Sequence, residues 1–157
     1  MTKILIIGGN GYIGNRLYEF LDATHDVDVI DTCWFGKTIK DTIVKDYSKM
    51  GKGFYSDYDT IILLAGHSSV KMSESTLSSC FKNNVTNFID LLEKLDKQKF
   101  IYASSSSVYG INREKKLDES KPSEHPISVY AATKKSNEMF AHVYSNLFNL
   151  PTTGLRF

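Results

Sequence analysis

The stretch Lys3-Ile4-Leu5-Ile6-Ile7-Gly8-Gly9-Asn10-Gly11-Tyr12-Ile13-Gly14 constrains the fold more than any other part of the chain. Four consecutive apolar, mostly β-branched residues suit a strand buried on both faces, as in a parallel sheet. The strand stops at glycine. Gly8, Gly11 and Gly14 recur every third residue, and Gly9-x-Gly11-x-x-Gly14 also satisfies a dinucleotide-binding fingerprint, in which glycines permit a tight turn and let backbone N–H groups approach a pyrophosphate. Tyr12 to Leu21 continues in a helical pattern, so the loop opens onto a helix N-terminus that favours a phosphate's negative charge. Gly8, Gly11, Tyr12, Ile13 and Gly14 are therefore the candidate phosphate-binding residues.

A strand-to-helix turn that binds nothing would need the same glycines, so the context decides. A dinucleotide site needs a second strand ending in an acid about 20 residues on. Val27-Asp28-Val29-Ile30-Asp31 is such a strand, closed by Asp31. Its carboxylate can accept hydrogen bonds from both hydroxyls of an adenine ribose and would repel a 2′-phosphate. No Arg follows it in Thr32-Cys33-Trp34, which favours NAD over NADP.

With 157 residues, the chain is read as one domain, large enough to bury about 70% of the surface its unfolded form would expose. Lys plus Arg (19) nearly balances Asp plus Glu (18), for a formal charge of +1. That leaves no electrostatic footprint for nucleic acid or an anionic membrane. Cys33 and Cys80 are too few and too isolated for a disulfide framework or a zinc site, and read as reduced thiols. The four histidines show no metal spacing, so no metal is expected. No apolar run approaches the roughly 18 residues needed to span a bilayer. The N-terminus leads straight into a strand without room for a signal peptide, so a cytoplasmic protein is expected.

Beyond Asp31 the pattern alternates. Ile43-Val44 reads as a short third strand followed by Asp46, and Ser48 to Gly53 as a loop or short helix, the usual second helix being reduced to a turn. Asp59 to Gly66 is a buried strand ending in small residues, Leu64-Ala65-Gly66, against which a flat ligand can lie. Ser75 to Lys97 reads as a long amphipathic helix, with Phe81, Val85, Phe88, Leu92 and Leu95 returning at three- and four-residue intervals. Phe100 to Ala103 is the next strand and runs into Ser104-Ser105-Ser106-Ser107-Val108-Tyr109-Gly110. Asn112 to Pro126 is a charged surface loop, Ile127 to Asn149 a helix stopped by Pro151, and Thr152 to Phe157 a last strand. The alternation argues for an α/β, Rossmann-type doubly wound parallel sheet of about six strands in the order 3-2-1-4-5-6.

Tyr130-Ala131-Ala132-Thr133-Lys134 places a phenol and an ammonium four residues apart, on one helical face. Such a pair is common on solvated helices. A phenol acting as a base at pH 7 must titrate about three units below its usual value, roughly 4 kcal/mol. A cation about 4 Å away at an effective dielectric near 20 supplies about that much. Ser105 lies just past a strand end, on the side of the sheet where the glycine loop sits, and can hydrogen-bond a substrate hydroxyl or carbonyl. Together these groups define proton removal from an alcohol coupled to hydride transfer to nicotinamide.

These residues resemble the extended short-chain dehydrogenases/reductases, in their NAD-dependent epimerase/dehydratase branch. Gly8 to Gly14 is similar to that family's phosphate loop, Leu64-Ala65-Gly66-His67 to its "LAA" strand end and Asn84-Val85 to its "NV" helix motif. Ser104 to Gly110 resembles "SSSxVYG", and Tyr130 to Lys134 the catalytic "YxxxK". His125 to Glu138 and Leu150 to Phe157 look especially like the same segments of UDP-glucuronate 4-epimerases. The resemblance implies that Tyr130 is the base, that Lys134 binds the nicotinamide ribose and tunes Tyr130, and that Ser105 fills the catalytic Ser/Thr position. It places Asp46 and Tyr47 at the adenine and Leu64, Ala65 and Gly66 along the cofactor. Dehydratases of this branch carry Asp-Glu after the catalytic Ser/Thr, where this chain has Ser106-Ser107, so epimerase or simple dehydrogenase chemistry is favoured. In a UDP-hexose or UDP-uronate 4-epimerase, Tyr130 would take the C4 hydroxyl proton while NAD takes hydride, and the keto sugar would turn over and receive the hydride on its other face. By the same resemblance the helices near 75–97 and 127–149 would pair two copies into a homodimer. Residues 1–157 would form the NAD-binding Rossmann domain, without a second domain for the nucleotide sugar. The alternative is a non-catalytic NAD-binding module, or a subunit that needs a partner for the substrate lobe. Trp34 is placed to flank the adenine or to pack, and His67 lies near the expected pocket.

Overall fold

The computed structural model describes residues 2–111 and 116–157. Residues 112–115, at the start of the expected surface loop, lie outside the described residues, and residues 116–128 contain neither helix nor strand.

Six strands form the sheet: β1 (Lys3–Ile7), β2 (Asp26–Asp31), β3 (Ile43–Val44), β4 (Thr60–Leu63), β5 (Lys99–Ser104) and β6 (Thr152–Arg156). Their order is β3-β2-β1-β4-β5-β6, and every pairing is parallel. The expected order is thus found, and its consequence is that β1 separates β2 from β4, so that the ends of all three face one crevice. Alternation along each strand divides the core. Leu5, Ile7, Ile30, Ile61, Leu63 and Phe100 pack with Phe88, Leu91, Leu92 and Ala141 on one face. Ile4, Ile6, Val29 and Ile62 pack with Leu17, Tyr18 and Leu21 on the other. Consecutive apolar residues in the central strands are needed because both faces are covered.

Helix α1 (Tyr12–Leu21) has the expected bounds, and α2 (Lys52–Tyr55) is the reduced second helix. The expected helix 75–97 is not one helix. Instead α3 (Val70–Ser75), α4 (Leu77–Phe81), a π-helical turn (Lys82–Thr86) and α5 (Asn87–Leu92) follow one another. Helix α3 starts early because the Ser69 side chain accepts from Met72 N. The break falls at Thr76 (φ −133°, ψ 50°), where hydroxyls compete for helix carbonyls: Thr76 Oγ1 and Ser75 Oγ both donate to Met72 O, at 2.7 and 3.1 Å. Local back-bonding of this kind loosens a helix. Leu95 is buried although the helix has ended. The last helix, α6 (Val129–Phe148), lies within the expected 127–149. Ser128 caps it by accepting from Ala131 N, and Asn149 ends it in the left-handed conformation.

Between β2 and β3 there is no helix, and one side chain of the glycine loop holds the connection. Asn10 Oδ1 accepts from Thr38 N (2.7 Å), Thr38 Oγ1 (3.0 Å) and Ile39 N (3.0 Å), while its Nδ2 donates to Thr42 Oγ1 (2.9 Å). Asn10→Ala strips the partners from three donors, of which Ile39 N is only partly exposed. A loss of about 2 kcal/mol is expected, seen as a lower urea midpoint without a change in slope; an unchanged midpoint contradicts the anchoring role.

Candidate active site

At the end of β1 the chain turns so tightly that side chains have no room. Gly8 has φ +89°, and a Cβ there would lie 2.5 Å from Ala65 N. A Cβ on Gly14 would lie 2.4 Å from Gly8 O, so α1 packs directly on the loop. Gly11 is the N-cap residue and contributes no side-chain cap. Only Gly8 O, at 3.3 Å, would meet a Cβ at Gly11. The first N–H groups of α1 therefore face a cradle that a larger residue at Gly11 would fill, which fits a pyrophosphate. Tyr12 and Ile13, in the first turn, are exposed.

Asp31 sits beside this cradle. Its Oδ2 accepts from Asn10 N (2.9 Å) and its Oδ1 from Cys33 N (2.7 Å). Each carboxylate oxygen has a further lone pair, so Asp31 can fix the loop and still accept from ribose hydroxyls. The β4 end is tied to the same place, since Leu64 N and Ala65 N both donate to Ile7 O. Asp46 and Tyr47 follow β3, but they do different things. The Asp46 carboxylate accepts from Ser48 N, whereas the Tyr47 ring is buried in the core, where burial pushes its phenol far above the usual range. Among the described residues its hydroxyl has no hydrogen-bond partner. What Tyr47 can offer a base is its backbone.

Tyr130 and Lys134, in the first turns of α6, are 9% and 7% exposed, and Ser105 is 9% exposed. The structure brings the three together. Ser105 Oγ accepts from Ser107 N (3.2 Å) and Ser107 Oγ (2.9 Å), which leaves its own proton free to be turned toward Tyr130. Burial pushes the Tyr130 phenol up and the Ser105 hydrogen bond pulls it down, with burial the larger effect. Lys134 Nζ donates to Ala103 O at 2.9 Å and stands 5.9 Å from the centre of the Tyr130 ring. Burial lowers the Lys134 ammonium to about 8. In this arrangement the polar partner that favours the phenolate is Ser105, while Lys134 is spent partly on the β5 carbonyl.

Sequence reasoning gave Asn84 no role. Its Oδ1 accepts from His67 N (2.8 Å), and its Nδ2 donates to His67 O (3.0 Å) and Thr133 Oγ1 (3.1 Å). It ties the β4 end to the turn of α6 that carries Lys134. The Asn84-Val85 motif was the signal. His67 Nε2 is hydrogen-bonded to Asn83 and Ser79, and Trp34, 71% exposed, stands edge-on to His67 at 6.1 Å. Among the described residues no cluster of His, Cys, Asp or Glu could hold a metal, and no helix is long and apolar enough to cross a membrane.

A doubly wound parallel sheet with a glycine cradle, an acid at the β2 end and a Ser-Tyr-Lys group beside β5 defines a dinucleotide-dependent class of protein. The family model described as "NAD dependent epimerase/dehydratase family" matches residues 4–157, and the chain belongs to that family. Protein CapI of Staphylococcus aureus is 37% identical over 99% of this chain and 53% of its own length. UDP-glucuronate 4-epimerase 2 of Arabidopsis thaliana is 34% identical over 99% of this chain and 41% of its own length. Among solved structures, a UDP-N-acetylglucosamine 4-epimerase from Methanobrevibacter ruminantium, in complex with UDP-N-acetylmuramic acid, superposes with a TM-score of 0.91. It is 27% identical over 99% of this chain and 54% of that one. UDP-glucuronic acid 4-epimerase from Bacillus cereus, in complex with UDP-glucuronic acid and NAD, gives a TM-score of 0.86 at 28% identity, over 99% of this chain and 56% of that one. The chain thus spans about half the length of the curated relatives it matches.

The Lys134 shift has a sign that can be tested. Its folded value, about 8, lies below the ordinary 10.5, so between those values the unfolded chain holds more protons and stability rises with pH. Lys134→Met should flatten that rise, and an NMR titration of the Lys134 side chain should show a midpoint near 8. A midpoint near 10.5 contradicts the burial.

Proposed function

We propose that residues 1–157 are the NAD-binding domain of a UDP-sugar 4-epimerase acting on a UDP-hexose or UDP-uronate, with Tyr130 as the base. The observation that carries this reading is the burial of Ser105, Tyr130 and Lys134 together, with Lys134 Nζ 5.9 Å from the Tyr130 ring centre, beside the strand ends that carry the glycine cradle and Asp31. Two of the solved relatives support the substrate class, as UDP-sugar 4-epimerases recorded with UDP-linked sugars.

The chain's residues divide the work. Tyr12, Ile13 and Gly14 receive the pyrophosphate on the backbone N–H groups that open α1, Gly8 and Gly11, whose own N–H groups donate to Ile30 O and Gly8 O, leave it room to approach, and Asp31 accepts from the adenine ribose hydroxyls. Asp46 and the Tyr47 backbone face the adenine, and Leu64, Ala65 and Gly66 line the path to the nicotinamide. NAD, when bound, supplies the hydride acceptor. Ser105 orients the sugar hydroxyl and keeps the Tyr130 oxygen in place, Tyr130 removes the hydroxyl proton, and Lys134 holds the nicotinamide ribose. A cation at that ribose and the positive nicotinamide ring both favour the phenolate, which offsets the burial. Pairing of two copies through α4, α5 and α6 is supported by exposed Phe81, Met139, Val143 and Leu147, and a cytoplasmic setting by two free thiols.

In the complete protein, Tyr130→Phe should lower kcat for UDP-sugar epimerisation by about 10²- to 10⁴-fold while leaving NAD bound; full activity in that variant overturns the reading. NADH should quench the emission of Trp34, the only tryptophan of the chain, because it follows Asp31 closely. Quenching without turnover favours the NAD-binding module, and no quenching by an intact fold counts against both.

A further inference from the structure

One partly buried charge cluster lies outside the groups assigned so far. Glu138 stands on α6 four residues beyond Lys134 and eight beyond Tyr130, and so on their face of the helix. Its Oε1 accepts from Arg156 Nε (2.7 Å) and Ser104 Oγ (2.7 Å), and its Oε2 from Arg156 Nη2 (2.8 Å) and, at 3.5 Å, Lys135 Nζ. Arg156, on the edge strand β6, also donates from Nη1 to the Tyr109 hydroxyl (2.8 Å) and from Nη2 to Ser123 Oγ (3.3 Å), with its guanidinium 4.7 Å from the Tyr109 ring centre.

The placement matters more than the strength. Ser104 immediately precedes Ser105, and Tyr109 ends the 3₁₀ turn Ser106–Tyr109 that Ser105 caps. Ser105 is therefore bracketed by two anchors, and both run to the same ion pair. The helix carrying Tyr130 is fastened to β5 at two adjacent residues, by Lys134 to Ala103 O and by Glu138 to Ser104 Oγ. The carboxylate and guanidinium side chains are 14% and 21% exposed. Taking two charges that far out of water is costly, and an apolar pair of similar size would hold β6 against α6 at least as well. What the charged pair adds is direction, because a bidentate fork fixes both angle and distance.

We infer that Glu138 and Arg156 form a positioning pair that sets, through Ser104 and Tyr109, where the Ser105 hydroxyl meets the Tyr130 oxygen. Neither touches the reacting atoms. The inference rests on the proposed roles of Ser105 and Tyr130, and it extends them to a residue on the sheet edge and to one two turns along the helix.

Field and position act in opposite directions here, which makes the inference testable. Removing the Glu138 anion, about 12 Å along the helix from Tyr130, would by its field alone favour the phenolate and lower the phenol's titration point. Loosening Ser105 removes the group that pulls the Tyr130 phenol down, and raises it. The chain labelled with 3-fluorotyrosine gives one ¹⁹F signal per tyrosine, and that of Tyr130 is identified by its loss in Tyr130→Phe. Ser104→Ala changes no charge and is expected to raise the Tyr130 midpoint by about one pH unit. Arg156→Lys keeps the charge but loses the fork, and is expected to raise it as well, so one variant serves if the other does not fold. Glu138→Gln keeps an acceptor for Ser104 and should move the midpoint upward by less than Ser104→Ala.

Two results overturn the inference. One is an unmoved Tyr130 midpoint in Ser104→Ala and Arg156→Lys despite a lower melting temperature, which is what a purely structural pair gives. The other is a downward shift in Glu138→Gln larger than any change in Ser104→Ala, which is what the field alone gives. The functional reading is judged separately on the unsubstituted chain. A Tyr130 signal that ignores saturating NAD⁺ counts against that reading, while the variants alone decide the positioning.

Discussion

Everything at the working end of this protein depends on how closely the backbone can approach itself where β1 ends. Gly14 lies against Gly8 O and Gly9, and Gly8 against the backbone of Leu64 and Ala65. This lets α1 begin immediately above the sheet and brings the β4 end alongside the loop. Any side chain at Gly8 or Gly14 would push one of these elements away. Asp31 and Asn10 then make the turn rigid from the β2 side, the first through two backbone N–H groups and the second by gripping residues 38–42. The loop is thus organised by polar groups from three strand ends.

The second half of the site is built by a different device. Helix α6 spans 20 residues, and the face that carries Tyr130 and Lys134 is fixed by buried and partly buried polar groups rather than by packing alone. Asn84 and Thr133 hold it to the β4 end, Lys134 and Glu138 hold it to β5, and Arg156 brings in β6. Each of these groups would be costly to bury unpaired. Satisfying them together leaves few positions in which Tyr130 can sit, which is what the proposed proton-transfer role requires.

Most of the sheet was legible because parallel strands covered on both faces must be apolar along their whole length, as in Ile4-Leu5-Ile6-Ile7 and Ile61-Ile62-Leu63. The order of the strands followed from handedness and from the single switch at β1. Short-range chemistry was legible as well: the glycine cradle, the acid at the β2 end and the Tyr130–Lys134 spacing are all local patterns. The bounds of the helical segment before β5 were not. The interval of Phe81, Val85, Phe88, Leu92 and Leu95 sets a buried face but says nothing of how many backbone hydrogen bonds lie along it. Hydroxyls at Ser75 and Thr76 interrupt the segment, and the turn Lys82–Thr86 is wound more loosely. Long-range pairs were equally hidden. Asn10 with Thr38, Asn84 with His67 and Glu138 with Arg156 are 28, 17 and 18 residues apart, and no periodicity links them. That the Tyr47 ring belongs to the core was equally hidden in the motif that pairs it with Asp46.

The central claim is that the ends of β1, β2 and β4 form an NAD site in which Asp31 reads the adenine ribose. Calorimetric titration of the chain with NAD⁺ and with NADP⁺ under identical conditions tests it most directly. One NAD⁺ per chain is expected, with NADP⁺ affinity at least about tenfold weaker, a difference of about 1.4 kcal/mol, because the carboxylate repels a 2′-phosphate. Equal affinities, or no heat with either while the fold is intact, would contradict it.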